Sequence, residues 1–301
     1  MERPKILTGF MLLGALALSF VSCSNALNKE KAAQRSVELD TIQVARRSYL
    51  KGDTANPYCD ISVEFVYPIS SNGANVEVLQ EFFTQNMLGN AFAEMLPEAA
   101  VEAYVKSYID DYTYDAETYR ESVADMKEWN ELIPDAGLHD QEQRGSGDFY
   151  SYYESLVNRI VYNRHGVISF QVEQSNSKGG ATSFVSFRNW VVDVNSGKQV
   201  TENELFRAGY DQALQKLIIS SLLEQNGVKS VEELEDLGFF GVQEIVPNRN
   251  FLLTEKGITY TYNKGEYSAY QLDAPEVFIP YSAIRSMLRE NTPAAKLADL
   301  K

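Results

Sequence analysis

Between Cys59 and Met87 the hydrophobic period of this chain switches from two to about 3.6 residues, and that switch sets the class of fold it can enter. Cys59, Ile61, Val63, Phe65 and Tyr67 alternate with Asp60, Ser62 and Glu64. A period of two places the apolar set on one face of a half-buried strand, closed here by Pro68 and the Ser-Ser-Asn-Gly turn at 70–73. From Asn75 onward, Val76, Leu79, Phe83 and Met87 fall at helical spacing. A second helical stripe, Val101, Tyr104, Tyr108 and Tyr112, follows Pro97 and reads as packing surface. Residues 115–148 are acidic, poor in strand signals, and end in Arg144-Gly-Ser-Gly147; they predict a helix plus a loop at a subdomain boundary.

Beyond that boundary strand signals dominate. Tyr153–Tyr162 and Val167–Val172 flank an Asn-Arg-His-Gly turn at 163–166, which is a hairpin pattern. Ser183–Val194 predicts another strand, followed by a turn at 195–198. Thr201 with Glu204, and Ser230 with Glu233, stand at capping-box spacing. Between them Leu214, Leu217, Ile218 and Leu222 share a helix face that ends at Gly227. Strands over Phe251–Thr254, Ile258–Tyr262 and Glu276–Pro280 precede a helix from Ser282. Strands and helices interleave without a regular βαβ rhythm. The expected fold is therefore α+β, a mixed or antiparallel sheet with packed helices in two intimately joined subdomains.

The N-terminus fixes the expected compartment. Arg3 and Lys5 precede an apolar run from Ile6 to Val21, too short and wrongly flanked for a spanning helix and of the form of a secretory signal. Its end, Phe20-Val21-Ser22-Cys23, resembles a bacterial lipobox, with Phe20 where that motif prefers Leu. The resemblance implies lipid attachment at Cys23. Residues 1–22 are thus expected to be a signal peptide and 23–57 the lipidated Cys and a polar tether. Residues 58–148 would form the N-terminal strand-helix subdomain, and 149–292 the C-terminal domain. Ser24, by analogy with Gram-negative sorting, points to the outer membrane, and the lack of an acidic cluster after Cys23 to a periplasm-facing position. With Cys23 lipidated, Cys59 has no disulfide partner and reads as a small buried hydrophobe.

Charge narrows the partners. The chain carries 42 acidic against 27 basic residues and a net charge of −15. Such a surface repels phosphate backbones, which argues against nucleic acid, and leaves the lipid as the membrane contact. It favours cationic partners, or serves solubility alone. The catalytic audit is mostly negative. The two histidines, His139 and His165, lack metal-spaced partners, and no nucleophile elbow or phosphate-binding loop appears. Asp110, Asp111 and Asp115 lack the glycine and spaced acceptors of a calcium loop. No cofactor is expected. Carboxylate pairs of glycosidase type can be neither selected nor excluded among so many acids.

The order of C-terminal elements is similar to the extracytoplasmic domain family shared by the lysozyme-sensing anti-sigma factor RsiV and the peptidoglycan deacetylase PdaC. The matching residues are Lys178-Gly179-Gly180-Ala181-Thr182, then Asp193 to Gly197-Lys198, then Glu204-Leu205-Phe206. They continue with Gly257-Ile-Thr-Tyr-Thr-Tyr262, a loop keeping Glu266 and Tyr270, and Val277-Phe-Ile-Pro-Tyr281. Thr182 stands where the family has His, and Ala269 and Asp273 replace its loop proline and glycine. No deacetylase domain or sigma-binding segment accompanies the match. The resemblance implies a non-enzymatic ligand-binding module, with lysozyme-like proteins or peptidoglycan fragments as candidate ligands. Its partner-binding residues would be Gly179, Gly180, Thr182, Glu266, Tyr267 and Tyr270. An envelope glycan hydrolase using an acidic pair, and a structural lipoprotein of an envelope complex, are the competing expectations.

Overall fold

The alternating segment at Cys59 becomes the second strand of a six-stranded sheet. In the computed structural model, which describes residues 36–54, 57–71, 73–132, 151–179 and 183–299, strand β1 (Val37–Tyr49) pairs antiparallel with β2 (Tyr58–Ser71). Helix α1 (Val76–Leu88) follows, and its first turn is capped by Asn75, whose Oδ1 accepts from Glu77 N at 3.0 Å. Helix α2 (Pro97–Leu132) is next. Strands β3 (Tyr152–Arg164), β4 (Val167–Lys178), β5 (Phe184–Asp193) and β6 (Lys198–Gln199) complete the sheet in the order β1-β2-β3-β4-β5-β6. The β3–β4 turn puts His165 and Gly166 at φ of 56° and 74°, the tight hairpin expected from the sequence.

Helices α3 (Glu202–Leu205), α4 (Asp211–Gln225) and α5 (Val231–Asp236) lead to a second sheet. Strands β7 (Phe251–Leu253), β8 (Gly257–Thr261) and β9 (Glu276–Pro280) form it, all antiparallel. The short helices α6 (Tyr281–Ile284) and α7 (Pro293–Ala298) close the described chain. Both predicted capping residues act as such: the Thr201–Glu204 box is complete, and Ser230 Oγ accepts from Glu233 N. The fold is α+β.

The expectation that 23–57 forms a tether is corrected for residues 37–49, which are β1. Val37, Leu39, Ile42 and Val44 slip by one residue in phase between Leu39 and Ile42, so no single alternation marks the strand. As an edge strand it is also mostly solvated. Cys23 and the rest of 1–35 lie outside the described residues, as do His139, Arg144, Gly180 and Thr182.

The one parallel pairing among the described strands, β2 with β3, aligns Cys59–Glu64 with Tyr152–Val157. Parallel neighbours need a long crossover, and this one carries α1 and α2 across one face of the sheet. Past Glu64 the two strands separate. Asn158 bridges them there, accepting from Val66 N at 2.6 Å and donating to Val66 O at 2.8 Å, so its side chain continues the ladder that the backbones have left. The core divides across β4. Ile168, Phe170 and Val172 pack under the helices with Leu79, Phe83, Val101 and Tyr112. Val167 and Val191 face the opposite core, with Leu253, Ile258 and Tyr260. On that side Ser169 Oγ donates to Leu253 O at 2.7 Å, linking the two sheets directly. Cys59 is fully buried, and burial, with Asp60 and Glu154 nearby, pushes its thiol up to about 12.

Asn158 is buried and both its amide groups are used, so Asn158→Ala leaves the Val66 amide and carbonyl unpaired. The expected loss is about 1–3 kcal/mol in urea unfolding. Asn75→Ala, which removes a cap on an exposed helix end, should cost about 1 kcal/mol.

Candidate functional site

The inward phase of β3 carries Tyr152, Glu154 and Leu156. Two of these are ordinary core residues. Glu154 is a carboxylic acid only 3% exposed. It stands beside Ile61 of β2 and Asn176 of β4, under the face of α2 that carries Tyr104 and Tyr108 at i, i+4. The Tyr104 hydroxyl donates to Glu154 Oε1 in a short hydrogen bond, and Gln174 Nε2 donates to the same oxygen at 3.4 Å. The Tyr108 hydroxyl, also buried, has no hydrogen-bond partner among the described residues.

These groups line an open cleft of about 350 Å³ between α2 and the outer half of β4. Phe92, Ser107, Asp111, Asn176 and Lys178 complete its wall. The sheet floor is polar here because β4 changes character along its length: Val167–Phe170 is buried, whereas Gln174, Asn176 and Lys178 are half-buried or exposed. Past Val172 no helix covers them fully. Lys178 Nζ also lies 5.9 Å from the ring of Tyr152, whose hydroxyl donates to Asp115 Oδ2 at 2.9 Å.

Burial raises the Glu154 carboxyl above its ordinary range, while the Tyr104 and Gln174 hydrogen bonds and the charges of Lys178 and Arg188 pull it back. Burial and the nearby Glu154 charge together push the Tyr104 and Tyr108 hydroxyls upward, so both remain protonated donors at neutral pH. The cleft thus offers two carboxyl groups, two phenols, a serine hydroxyl, two amides, an ammonium and an aromatic wall. That inventory suits a polar, hydrogen-bonding ligand with an apolar face. Among the described residues no three His, Cys, Asp or Glu side chains group as a metal site.

The loop after β8 meets the start of β5. The Tyr270 hydroxyl donates to Ser183 O at 2.9 Å and accepts from Val185 N at 3.2 Å. Asn263 Oδ1 accepts from Phe187 N at 2.7 Å, and the Asn250 amide serves Phe187 O at 3.0 Å and Asn189 N at 2.7 Å. Side chains from the second sheet therefore occupy the open edge of β5 where β6 does not reach. Glu266 accepts from Asn263 N at 2.9 Å and holds its own loop, and the Tyr267 ring packs on Tyr262 at 5.3 Å. Gly179, at φ +80°, directly follows Lys178 of the cleft wall. Tyr270 keeps 40% exposure next to Phe184, but its hydroxyl is engaged within the protein. Glu154, Tyr104 and Tyr108 were not singled out as binding residues by the sequence. The available signal was a Glu in phase with Tyr152 and Leu156 on one strand.

Residues 203–282 match the family described as "Protein of unknown function (DUF3298)". A solved DUF3298-family protein of Bacteroides fragilis is similar at 25% identity and TM-score 0.74, over 89% of this chain and 99% of that one. A DUF3298-family protein of Pseudomonas aeruginosa shares the fold at TM-score 0.56 and 14% identity, over 85% of this chain and 97% of that one. No curated protein matches. The matched segment runs from α3 to α6 and spans the second sheet, not the cleft.

A carboxyl raised by folding binds its proton more tightly in the native state, so its contribution to stability is largest at low pH. It declines as pH rises from about 4.3, the ordinary Glu value, through the raised native one. Glu154→Gln keeps the shape and removes the titration. The melting temperature of the variant relative to the parent should rise between pH 4 and pH 8; a constant difference would contradict the placement of Glu154.

Proposed function

We propose that this chain is a non-enzymatic envelope lipoprotein, anchored through Cys23 at the outer membrane and facing the periplasm, that binds a ligand in the Glu154 cleft. The kinship with RsiV/PdaC-like domains read from Lys178–Thr182, Gly257–Tyr262 and Val277–Tyr281 belongs to this proposal. One observation carries the binding reading: a carboxyl 3% exposed lies at the wall of an open cleft beside a buried, unpartnered Tyr108 hydroxyl. Burying such groups costs free energy that packing alone does not return, and perturbed titratable groups in a cleft are the usual mark of a site.

Of the two candidate ligands, the cleft favours a peptidoglycan fragment over a folded basic protein. Its volume of about 350 Å³ suits one or two sugar or amino-acid units, and Phe92 and Tyr104 supply aromatic faces beside the amides of Gln174 and Asn176. Lysozyme-like proteins are supported by the resemblance and by the net charge of −15, not by the cleft. One observation favours the second reading, an envelope glycan hydrolase: Asp111 lines the same cleft as Glu154, whose raised pKa suits a general acid.

Isothermal titration with a soluble disaccharide-tetrapeptide muropeptide, and separately with lysozyme at about 50 and 500 mM salt, separates these readings. The proposal expects muropeptide binding that Asn176→Ala weakens about tenfold, with no new reducing ends released from peptidoglycan. Release of reducing ends that Glu154→Gln abolishes would establish the hydrolase instead. Salt-sensitive lysozyme binding without muropeptide binding would move the site to the acidic surface.

A further inference from the structure

A second concave site lies at the other end of the C-terminal domain, and no part of the binding reading uses it. Phe206 and Leu288 form an isolated antiparallel bridge, flanked by Arg207 N donating to Met287 O at 2.9 Å and Arg289 N donating to Leu205 O at 2.8 Å. The two arginine side chains repeat the reciprocity of the backbone. Arg207 Nε donates to Leu288 O at 3.0 Å, and Arg289 Nε donates to Phe206 O at 2.6 Å. Each guanidinium is therefore pinned through its Nε, which orients the fork and leaves terminal Nη donors for another partner. Two like charges are held against one short bridge, an arrangement that an anion between them would offset.

Arg207, Arg285 and Arg289 line one pocket of about 370 Å³ together with two carboxylates, Glu290 and Asp299. The protein's own carboxylates neutralise them incompletely. Arg285 is paired with Asp299. Glu290 stays 3.8 Å from Arg207, beyond hydrogen-bond reach, and is 86% exposed. Among the described residues no carboxylate lies within ion-pair distance of Arg289. On a chain with 42 acidic and 27 basic residues, three arginines on one pocket run against the prevailing charge.

We propose that this pocket is an oxyanion-binding site, taking the phosphate or carboxylate group of a small ligand on the Nη donors of Arg207 and Arg289. Bidentate guanidinium contacts suit both groups, whereas a point-charge lysine site would not supply the same fork. The pocket volume leaves room for a body of a few heavy atoms beyond the anion.

Nitrogen-detected NMR of the arginine side chains, during titration with inorganic phosphate and separately with acetate, reads this directly. Saturable shifts of the Arg207 and Arg289 Nε–H signals with either anion are expected, phosphate alone assigning a phosphate ester and both a general oxyanion. Arg289→Gln should weaken binding about tenfold, and Glu290→Gln should tighten it about threefold by removing the nearby negative charge. Arg289→Lys keeps the charge but loses the Nε anchor, and should also bind more weakly if the fork matters. Absence of saturable shifts with both anions in the unaltered protein, or binding indifferent to all three substitutions, overturns the proposal.

Discussion

The parallel seam between β2 and β3 is the constraint from which the rest of the architecture follows. Aligning Cys59–Glu64 with Tyr152–Val157 forces the chain between them to cross over the sheet, and α1 and α2 are that crossing. The seam sets which side of β3 meets the helices. Tyr152, Glu154 and Leu156 turn inward because their partners Cys59, Ile61 and Val63 do. A one-residue slip would send Glu154 to the other face of the sheet and Tyr153 into the cleft. Asn158 holds the point where the strands part, so one buried amide keeps the register that positions the site.

Glu154 is stable in that position because the local polar groups are arranged around it. The Tyr104 hydroxyl and the Gln174 amide satisfy one of its oxygens, and Lys178 and Arg188 moderate the charged form. Desolvation still dominates and holds the carboxyl above its ordinary range. The same logic runs through the second sheet with the opposite result. Asn250, Asn263 and Tyr270 turn their polar atoms onto β5 and hold its edge to the second sheet; of these only Tyr270 was an expected partner-binding residue. An exposed strand edge is an association hazard, and these side chains cover it at Val185, Phe187 and Asn189.

Much of the fold was legible because local patterns agreed with tertiary burial. The strand at Cys59–Tyr67, the helix capped by Asn75, the hairpin at Asn163–Gly166 and the Thr201–Glu204 box all depend on spacings of a few residues. β1 was not legible, since its apolar phase slips and its edge position leaves most side chains in water. The cleft was less legible still. It is assembled from Phe92, α2, β3 and β4, up to 86 positions apart between Phe92 and Lys178, and the β2–β3 seam brings the helix side and the strand side together. The tyrosine stripe on α2 was expected to be packing, and Tyr108 and Tyr112 are buried with Tyr104 packed against the same core. The Tyr104 hydroxyl also donates to Glu154, whereas among the described residues the Tyr108 and Tyr112 hydroxyls have no hydrogen-bond partner.

The central claim is that Glu154 is a buried carboxyl waiting at a ligand cleft. Carbon-13 NMR of the Glu154 side-chain carboxyl, followed across pH with and without a soluble muropeptide, tests it most directly. The account predicts titration above the ordinary Glu range in the free protein and a change in both shift and midpoint when the ligand is present. Titration near about 4.3 that the ligand leaves untouched would contradict it.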